Sequence, residues 1–368
     1  MDHSIYRNSK VTGRYFPYES LQHSLSDVEA YKIPSLQGLS VLGRQIPVYR
    51  FGSGNKKILM WSQMHGNEST TTKALLDAIQ FLTSSHVQAR ALLANLQIVV
   101  IPMLNPDGAS AYTRVNANGV DLNRDFIAFS EPESQFLKHV FETEAPDFCF
   151  NLHDQRTIFS VGETSIPATL SFLGPAADAS RSITPSRLVS MQIIAAINQQ
   201  LQDFIPDSIG RYDDTYNGNC VGDHFQSLGV PTLLFEAGHR ATDYQREETR
   251  TWVFQAILVA LESIKEQSYL KFSVADYNRI PENQKNHLDL EVLHAHLINP
   301  KIKKNSRLAF QYEERLEDGE ITFNPKIIDL EDSKKYFFHD QIDFSVQVLA
   351  DQALIYQKIS SILKTLHD

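Results

Sequence analysis

The chain has 368 residues, 42% of them apolar and 21% charged, which is typical of a globular protein with one large core and a smaller second unit. Its formal net charge of −10 argues against general binding of nucleic acids or anionic membranes, because both require basic surface. Since the sequence has no run of about 18 apolar residues and no apolar N-terminal signal segment, we expect a cytoplasmic protein without a membrane span.

The first part of the chain alternates strand-like and helix-like segments. Residues 38–54 alternate apolar and polar side chains around Gly43 and Arg44, which predicts a hairpin at a sheet edge. Apolar runs with the length of strands buried on both faces follow at residues 57–63, 96–104, 147–152 and 231–235. Helical patterns separate these runs, at residues 68–83, after a capping-box arrangement at 130–133, after 184–185, and at 243–266. This alternation predicts an α/β fold with a largely parallel sheet.

The character of the sequence changes near residue 270. Residues 272–338 contain short strand-like pieces and charged turns such as EERLEDGE, and residues 347–366 have a helical pattern. We therefore predict a first domain over residues 1–269 and a small β-rich domain over residues 270–368 that ends in a helix.

Polar residues directly follow the four predicted strands. His65 and Glu68 follow the first strand, an NPDG turn at 105–108 follows the second, His153 the third and Glu236 the fourth. Ligands of open α/β sheets bind outside the carboxyl ends of the strands, so these side chains are expected to share one pocket. His65, Glu68 and His153 form the three-ligand set of a catalytic zinc site. Taken singly, Glu68 could instead cap a helix, and His153 could be a hydrogen-bonded core histidine.

Two further features supply what hydrolysis at a metal requires. Glu236 lies directly after an apolar run, where a carboxylate is either a general base or part of a structural salt bridge. The stretch YTRVNANGVDLNRDF contains Arg114 and Arg124, and guanidinium groups bind carboxylates and polarise carbonyls. Standing alone, this stretch would be interpreted as a solvated loop with surface salt bridges. Beside the metal set it predicts a site for an anionic substrate end and an oxyanion.

The order of these motifs resembles that of the zinc carboxypeptidases over about residues 15–267. The resemblance implies a three-layer α/β/α sandwich with a mixed, largely parallel central sheet and one Zn2+ per chain. It matches His65, Glu68 and His153 to the zinc ligands and Glu236 to the general base that activates the attacking water. It matches Arg114 to the arginine that polarises the scissile carbonyl, and Asn123 and Arg124 to the pair that binds the terminal carboxylate. Tyr216 matches the mobile tyrosine that closes over the substrate, with Tyr212 as its rival.

The function predicted from this resemblance is that of a zinc metallocarboxypeptidase, which hydrolyses the C-terminal bond of a peptide. An N-acyl amino acid hydrolase is the alternative, because HGNE and DLNR-type motifs with a C-terminal β-rich domain are also similar to the succinylglutamate desuccinylase and aspartoacylase enzymes. Either substrate carries a free carboxylate. A noncatalytic binding protein is disfavoured because every expected polar position is filled. Arg156, after the third ligand, is expected to pair with Asp154 rather than to bind an acidic substrate group.

Overall fold

The computed structural model describes residues 2–240, 242–304, 306–331, 335–346 and 353–365. Within these ranges the β-strands are β1 (Lys32–Leu39), β2 (Gln45–Phe51), β3 (Lys56–Ser62), β4 (Leu96–Ile101), β5 (Phe148–Asp154), β6 (Phe159–Val161), β7 (Leu170–Leu173), β8 (Ile209–Arg211), β9 (Thr232–Ala237), β10 (Asn283–Lys285), β11 (His287–Leu293), β12 (Leu308–Glu317), β13 (Glu320–Ile328) and β14 (Phe337–Asp343). The α-helices are α1 (Tyr18–Ser24), α2 (Thr70–Leu82), α3 (Val87–Asn95), α4 (Pro106–Ala111), α5 (Pro132–Glu144), α6 (Pro185–Leu201), α7 (Val221–Ser227), α8 (Glu247–Glu266), α9 (Val274–Asn278) and α10 (Ala353–Thr365).

The main sheet has the strand order β1-β2-β4-β3-β5-β9-β7-β8. Its centre, β4-β3-β5-β9, is parallel and consists of the four strands predicted from apolar runs. The hairpin β1–β2 joins one edge antiparallel to β4, and β7 joins β9 antiparallel on the other side. The short strands β6, β7 and β8 are not predicted by the sequence patterns, because runs of three or four residues show no clear period.

Helices cover both faces of the main sheet, and this explains why its central strands are apolar without alternation. In β3, Ile58 and Met60 pack into a core shared with α2, α6 and α8. Leu59 and Trp61 point to the opposite face and pack with α5 and α7. Complete burial of such side chains stabilises the fold by about 1.5–3 kcal/mol each. The predicted fold class, a three-layer sandwich with a mixed and largely parallel sheet, is confirmed.

The predicted capping box before α5 is wrong in detail. The N-cap residue is Glu131, and it makes no side-chain capping bond. Ser130 instead donates its amide and its hydroxyl to Asp125 Oδ1, at 2.9 and 2.8 Å. Glu131 N donates to Asp125 Oδ2 at 3.0 Å. The side chain of Asp125 therefore accepts the hydrogen bonds at the start of α5, where the sequence pattern predicts that Ser130 would be the capping residue.

The C-terminal part of the chain forms a second sheet with the order β13-β12-β11-β14, as expected for a β-rich unit. With α10 it encloses a separate core that includes Leu290, Phe310 and Ile359. The helix predicted at 347–366 is described only over Ala353–Thr365, and 347–352 and 366 lie outside the described residues. The domain boundary at residue 270 stays a prediction, and Tyr277 of α9 still packs into the first core.

None of the helices in the described ranges is both long and apolar enough to cross a bilayer. The longest of them, α8, carries Glu247 and Glu248 in its first turn and Lys265 in its last. The predicted cytoplasmic location stays a prediction.

Candidate metal centre and active site

The loop that carries His65 and Glu68 is held against the NPDG turn. Asn105 of that turn donates its side-chain amide to the Met64 carbonyl at 3.2 Å. A Cβ on Gly66 would lie 1.9 Å from the carbonyl carbon of Gly108, so only glycine fits between the histidine and α4. The glycines of the two motifs therefore serve one purpose, a close backbone contact that fixes the position of His65.

His65, Glu68 and His153 converge on one point at the carboxyl end of the main sheet. Their candidate ligand atoms all lie within 4.8 Å of one another. His65 Nδ1 lies 2.8 Å from Glu68 Oε1, and His153 Nδ1 lies 2.8 Å from Glu68 Oε2. The two Nδ1 atoms are 3.1 Å apart. Zn–N bonds of about 2.0–2.1 Å in a tetrahedral site place two nitrogen ligands about 3.3 Å apart, so this donor set fits a zinc ion.

Charged neighbours keep this set in the form that binds a metal. Burial raises the pKa of Glu68, but the charge of His65 and hydrogen bonds from both histidines outweigh this effect and hold the pKa well below its usual value. Asp121 Oδ1 lies 3.0 Å from His65 Nε2 and fixes the ring orientation. Asp121 lies in the YTRVNANGVDLNRDF stretch, and the sequence pattern predicts no role for it.

Asp154, next to His153, connects the metal set to the rest of the structure. Its carboxylate accepts the amides of Thr70 and Thr71 at the start of α2, at 2.8 and 3.0 Å. It also accepts from the buried guanidinium of Arg14 at 3.3 Å. The predicted pair between Asp154 and Arg156 is therefore wrong, because α2 and Arg14 already satisfy the carboxylate. Arg156 is exposed and lines the cavity in front of the metal set.

Glu236 lies in β9, directly beside His153 in the register of β5 and β9. Its Oε2 atom is buried and has no hydrogen-bond partner among the residues that the structure describes. Burial raises its pKa well above the usual value, and the negative charges of Glu68 and Asp154 raise it further. A half-buried carboxyl group with one buried, unpaired oxygen is unusual beside a core and is typical of a general base or acid.

Arg114 lies at the edge of the metal set. Its Nη1 atom donates to Glu68 Oε1 at 3.2 Å, and its Nε atom donates to Asp121 Oδ2 at 3.0 Å. Because 47% of its side chain is exposed, the guanidinium has room to turn toward a bound group.

Asn123 and Arg124 line the same cavity from a short helical turn, Leu122–Arg124. Asn123 Oδ1 accepts from Val221 N at 3.0 Å, which connects the turn to α7. Arg124 is exposed, and its Nη1 atom lies 3.1 Å from Cys220 Sγ. The structure brings both residues to the cavity, and their predicted role in carboxylate binding remains to be tested.

The two candidate tyrosines differ in position. Tyr212 lines the cavity, and burial together with the charges of Glu236 and Glu68 raises its pKa well above the usual value. Tyr216 is half-buried in the following loop, and its hydroxyl lies against Gly218. The structure thus places the rival at the site, and the catalytic role predicted for Tyr216 stays a prediction.

The residues above surround an open cavity of about 570 Å3. It contains the metal set and Glu236 together with Asn123 and Arg124. The cavity thus brings together the candidate metal ligands, the carboxyl group of Glu236 and three arginines, Arg114, Arg124 and Arg156, as expected of a site for a small anionic group.

Comparison with known proteins agrees with this geometry. Residues 26–168 match a family model described as zinc carboxypeptidase, which includes His65, Glu68 and His153 but ends before Glu236. A probable carboxypeptidase 2 of Trichophyton verrucosum is 28% identical over 157 residues, 42% of this chain and 25% of that protein. Carboxypeptidase M of Mus musculus is 29% identical over 188 residues, 46% of this chain and 40% of that protein. The chain thus matches well under two thirds of the length of these relatives.

Solved structures show the same fold. A metallo-carboxypeptidase from Pseudomonas aeruginosa superposes with a TM-score of 0.55 at 16% identity, covering 68% of this chain and 70% of that chain. Carboxypeptidase A from Helicoverpa armigera superposes with a TM-score of 0.51 at 17% identity, covering 68% of this chain and 74% of that chain. The solved structures thus show the fold. The predicted resemblance to the zinc carboxypeptidases is confirmed, and the family model and the curated carboxypeptidase relatives support the predicted class of metallocarboxypeptidase hydrolases.

Proposed function

We propose that this chain is a zinc-dependent metallocarboxypeptidase that removes the C-terminal residue of a peptide. The observation that carries the proposal is the convergence of His65, Glu68 and His153 beside the unpaired carboxyl group of Glu236. One zinc ion held by the first three residues would supply Lewis acidity and lower the pKa of a water molecule.

Glu236 is proposed as the general base and acid. Its raised pKa favours proton uptake, and a divalent cation nearby would lower this pKa again. In the reaction, Glu236 takes a proton from the attacking water. It then gives that proton to the nitrogen of the leaving amino acid as the C–N bond breaks.

The polar side chains that line the cavity would bind and orient the substrate. Arg114 would donate hydrogen bonds to the carbonyl oxygen as negative charge develops there. Asn123 and Arg124 would bind the terminal carboxylate, which a guanidinium does in a bidentate way. Tyr212, because it lines the cavity, is favoured over Tyr216 as the tyrosine that contacts the substrate.

The space in front of the metal set favours a peptide over a small acylated amino acid. A second cavity of about 460 Å3 adjoins the first and shares Glu68 and Arg114 with it. An acylated amino acid would leave this second space empty, whereas a peptide chain would extend into it.

The proposal is tested by removing and restoring the metal. We expect a zinc chelator to abolish hydrolysis of a short peptide, and stoichiometric zinc to restore it, with about one zinc bound per chain in elemental analysis. His153→Ala should lose both the bound zinc and the hydrolysis. Unchanged hydrolysis after metal removal would refute the proposal. Faster hydrolysis of an N-acyl amino acid than of any short peptide would assign the site to the other substrate class.

A further inference from the structure

The second cavity has one wall that belongs to the C-terminal sheet. On the catalytic side it is lined by Glu68, Arg114 and Arg156. On the opposite side it is lined by β12 and β13, with Tyr312 and Lys326 among the lining residues. The C-terminal sheet therefore lies within reach of a substrate bound at the candidate metal centre.

The position of the second cavity indicates which part of a substrate it would hold. Asn123 and Arg124 line the first cavity but not the second, whereas Glu68 and Arg114 line both. The inference rests on the proposed function, in which Asn123 and Arg124 bind the terminal carboxylate and Arg114 contacts the scissile carbonyl. The residues that precede the scissile bond then extend past Arg114 into the second cavity, which is the acyl side of the site.

The acidic residues of this cavity are already paired. Arg14 donates to both carboxylate oxygens of Glu314, at 3.2 and 3.1 Å, and the Tyr112 hydroxyl donates to the same group. Asp289 accepts from the Tyr244 hydroxyl at 3.0 Å and from Tyr312 N at 2.7 Å. The remaining acidic residues are paired in the same way, with Asp154 bound to α2 and Glu313 bound to Arg315.

Two cations of the cavity are not paired. Arg156 and Lys326 are both exposed, and neither makes a hydrogen bond or ion pair through its side chain with any residue that the structure describes. Arg156 also lines the first cavity, whereas Lys326 does not, so Arg156 is the cation of this pair that lies nearer to the scissile bond. The buried Arg246, which also lines this cavity, is held by the Ala237 and Gln155 carbonyls. The acyl side of the site thus presents two exposed positive charges that lack a counterion among the described residues.

The wall that carries Lys326 is held firmly against the catalytic unit. Besides the Arg14–Glu314 ion pair, Gln311 of β12 donates to Thr157 Oγ1 at 2.8 Å. His287 N of β11 donates to the Ile158 carbonyl at 3.1 Å. Thr157 and Ile158 directly follow Arg156 in the chain, so these contacts hold the C-terminal sheet beside the arginine.

We propose that Arg156 and the C-terminal sheet form an acyl-side subsite that selects peptides with an acidic side chain before the scissile bond. The carboxylate would accept hydrogen bonds from Arg156 when it belongs to the penultimate residue. Lys326 would attract a carboxylate placed one residue further from the C-terminus.

The test is a series of acetylated tripeptides with the same, best-cleaved C-terminal residue and Glu, Gln or Lys in the penultimate position. We expect the zinc-loaded enzyme to cleave the Glu peptide with a kcat/KM about tenfold above that of the Gln peptide, the size of one charge-assisted hydrogen bond. The Lys peptide should be the poorest substrate. An N-succinyl amino acid is included, since a higher kcat/KM for it than for the Glu peptide would assign the selected carboxylate to an acyl group.

Substitutions of Arg156 and Lys326 distinguish a loss of selectivity for acidic peptides from a general loss of catalysis. Arg156→Gln should bring the Glu-to-Gln ratio of kcat/KM close to one. Arg156→Glu should reverse the preference in favour of the Lys peptide. Lys326→Gln should weaken the preference for Glu in the third position from the C-terminus. Arg90→Gln, a matched change at an exposed arginine of α3, should leave all ratios unchanged.

Two results would overturn the subsite. One is equal kcat/KM for the Glu and Gln peptides in the unmodified enzyme, and the other is an unchanged ratio in Arg156→Gln. Either result would leave the proposed carboxypeptidase function intact. Failure of the zinc-loaded enzyme to cleave any tripeptide would instead refute the proposed function, and the subsite with it.

Discussion

Glu236 lies between Phe235 and Ala237, two core residues of β9 that are almost completely buried. Its own Oε2 atom lacks a hydrogen-bond partner among the described residues, and its pKa is raised by burial and by neighbouring negative charge. Such an environment destabilises the ionised carboxyl group in the folded state. A neutral residue of the same shape should therefore fold at least as well, and only the chemistry should suffer.

We expect Glu236→Gln to reduce kcat by about 10²- to 10⁴-fold, because the amide cannot accept and return the proton. The midpoint of thermal unfolding should stay the same or rise, since a buried ionisable group is removed. Steady-state kinetics and calorimetry measure the two quantities. Glu163→Gln, at an exposed turn, is the control and should change neither. A lower unfolding midpoint in Glu236→Gln would show that the carboxyl group supports the fold.

The ends of β5 and β9 carry His153 and Glu236, and Arg246 joins these two ends. Arg246 Nη1 donates to the Ala237 carbonyl at 2.7 Å, and Nη2 donates to the Gln155 carbonyl at 2.9 Å. Arg246 is only 1% exposed. Because one rigid guanidinium contacts the ends of both strands, it fixes the distance between a candidate metal ligand and the proposed base.

Arg246→Met should lower the free energy of unfolding by about 2–3 kcal/mol, because two buried carbonyls lose a charged donor. It should also lower kcat, since β5 and β9 are then free to shift relative to each other. Arg246→Lys should recover little of either property, because an ammonium group does not reproduce the planar fork. Urea unfolding and kinetics provide the measurements, with Arg90→Met as the control. Full activity in Arg246→Met would contradict the positioning role.

Two buried histidines, His239 and His287, and the half-buried His339 lie where the main sheet meets the second sheet. The rings of His239 and His339 are 4.3 Å apart, and those of His287 and His339 are 4.6 Å apart. His339 Nε2 donates to the Thr157 carbonyl at 2.8 Å. Burial lowers the pKa of His287 and of His339 to about 4. The contact between the two sheets therefore depends on neutral imidazoles.

The folded state should lose stability as the pH falls from about 6.5 to about 4. In this range unfolded histidines bind protons that folded His287 and His339 exclude, so each lowers the free energy of unfolding by about 1.4 kcal/mol per pH unit. Above pH 6.5 both states are neutral and the effect vanishes. His339→Gln should show a smaller decrease between pH 7 and pH 5 in urea unfolding. An equal decrease in both proteins would exclude these histidines as its source.

At the scale of the whole molecule, the sequence predicts those elements whose pattern is contained in one short stretch of residues. The four parallel strands are continuous apolar runs, so they are predicted within a few residues. The metal set follows these runs directly, and the structure brings it together as expected. The second sheet is predicted as a β-rich unit but not in its strand order, because pairing between β11 and β14 joins segments about 50 residues apart.

Contacts across long stretches of chain carry no such local signal. Arg14 bonds to Asp154, 140 residues away, and to Glu314, 300 residues away. The expected Asp154–Arg156 pair is the local choice, and it is wrong because the distant Arg14 and the start of α2 bind the carboxylate instead. Tyr212 and Tyr216 lie close together in the segment after β8, and only the three-dimensional path of that segment shows that Tyr212 lines the cavity.

The position of Arg14 has a consequence for dissecting the protein. Its guanidinium lies between Asp154 of β5 and Glu314 of β12, and Arg14 is only 5% exposed. Truncation near residue 270 would remove Glu314 and expose this cation together with Tyr112 beside the metal set. A shortened version made for crystallisation or inhibitor screening would thus present an altered pocket, so a protein that retains the C-terminal sheet is the appropriate material for both purposes.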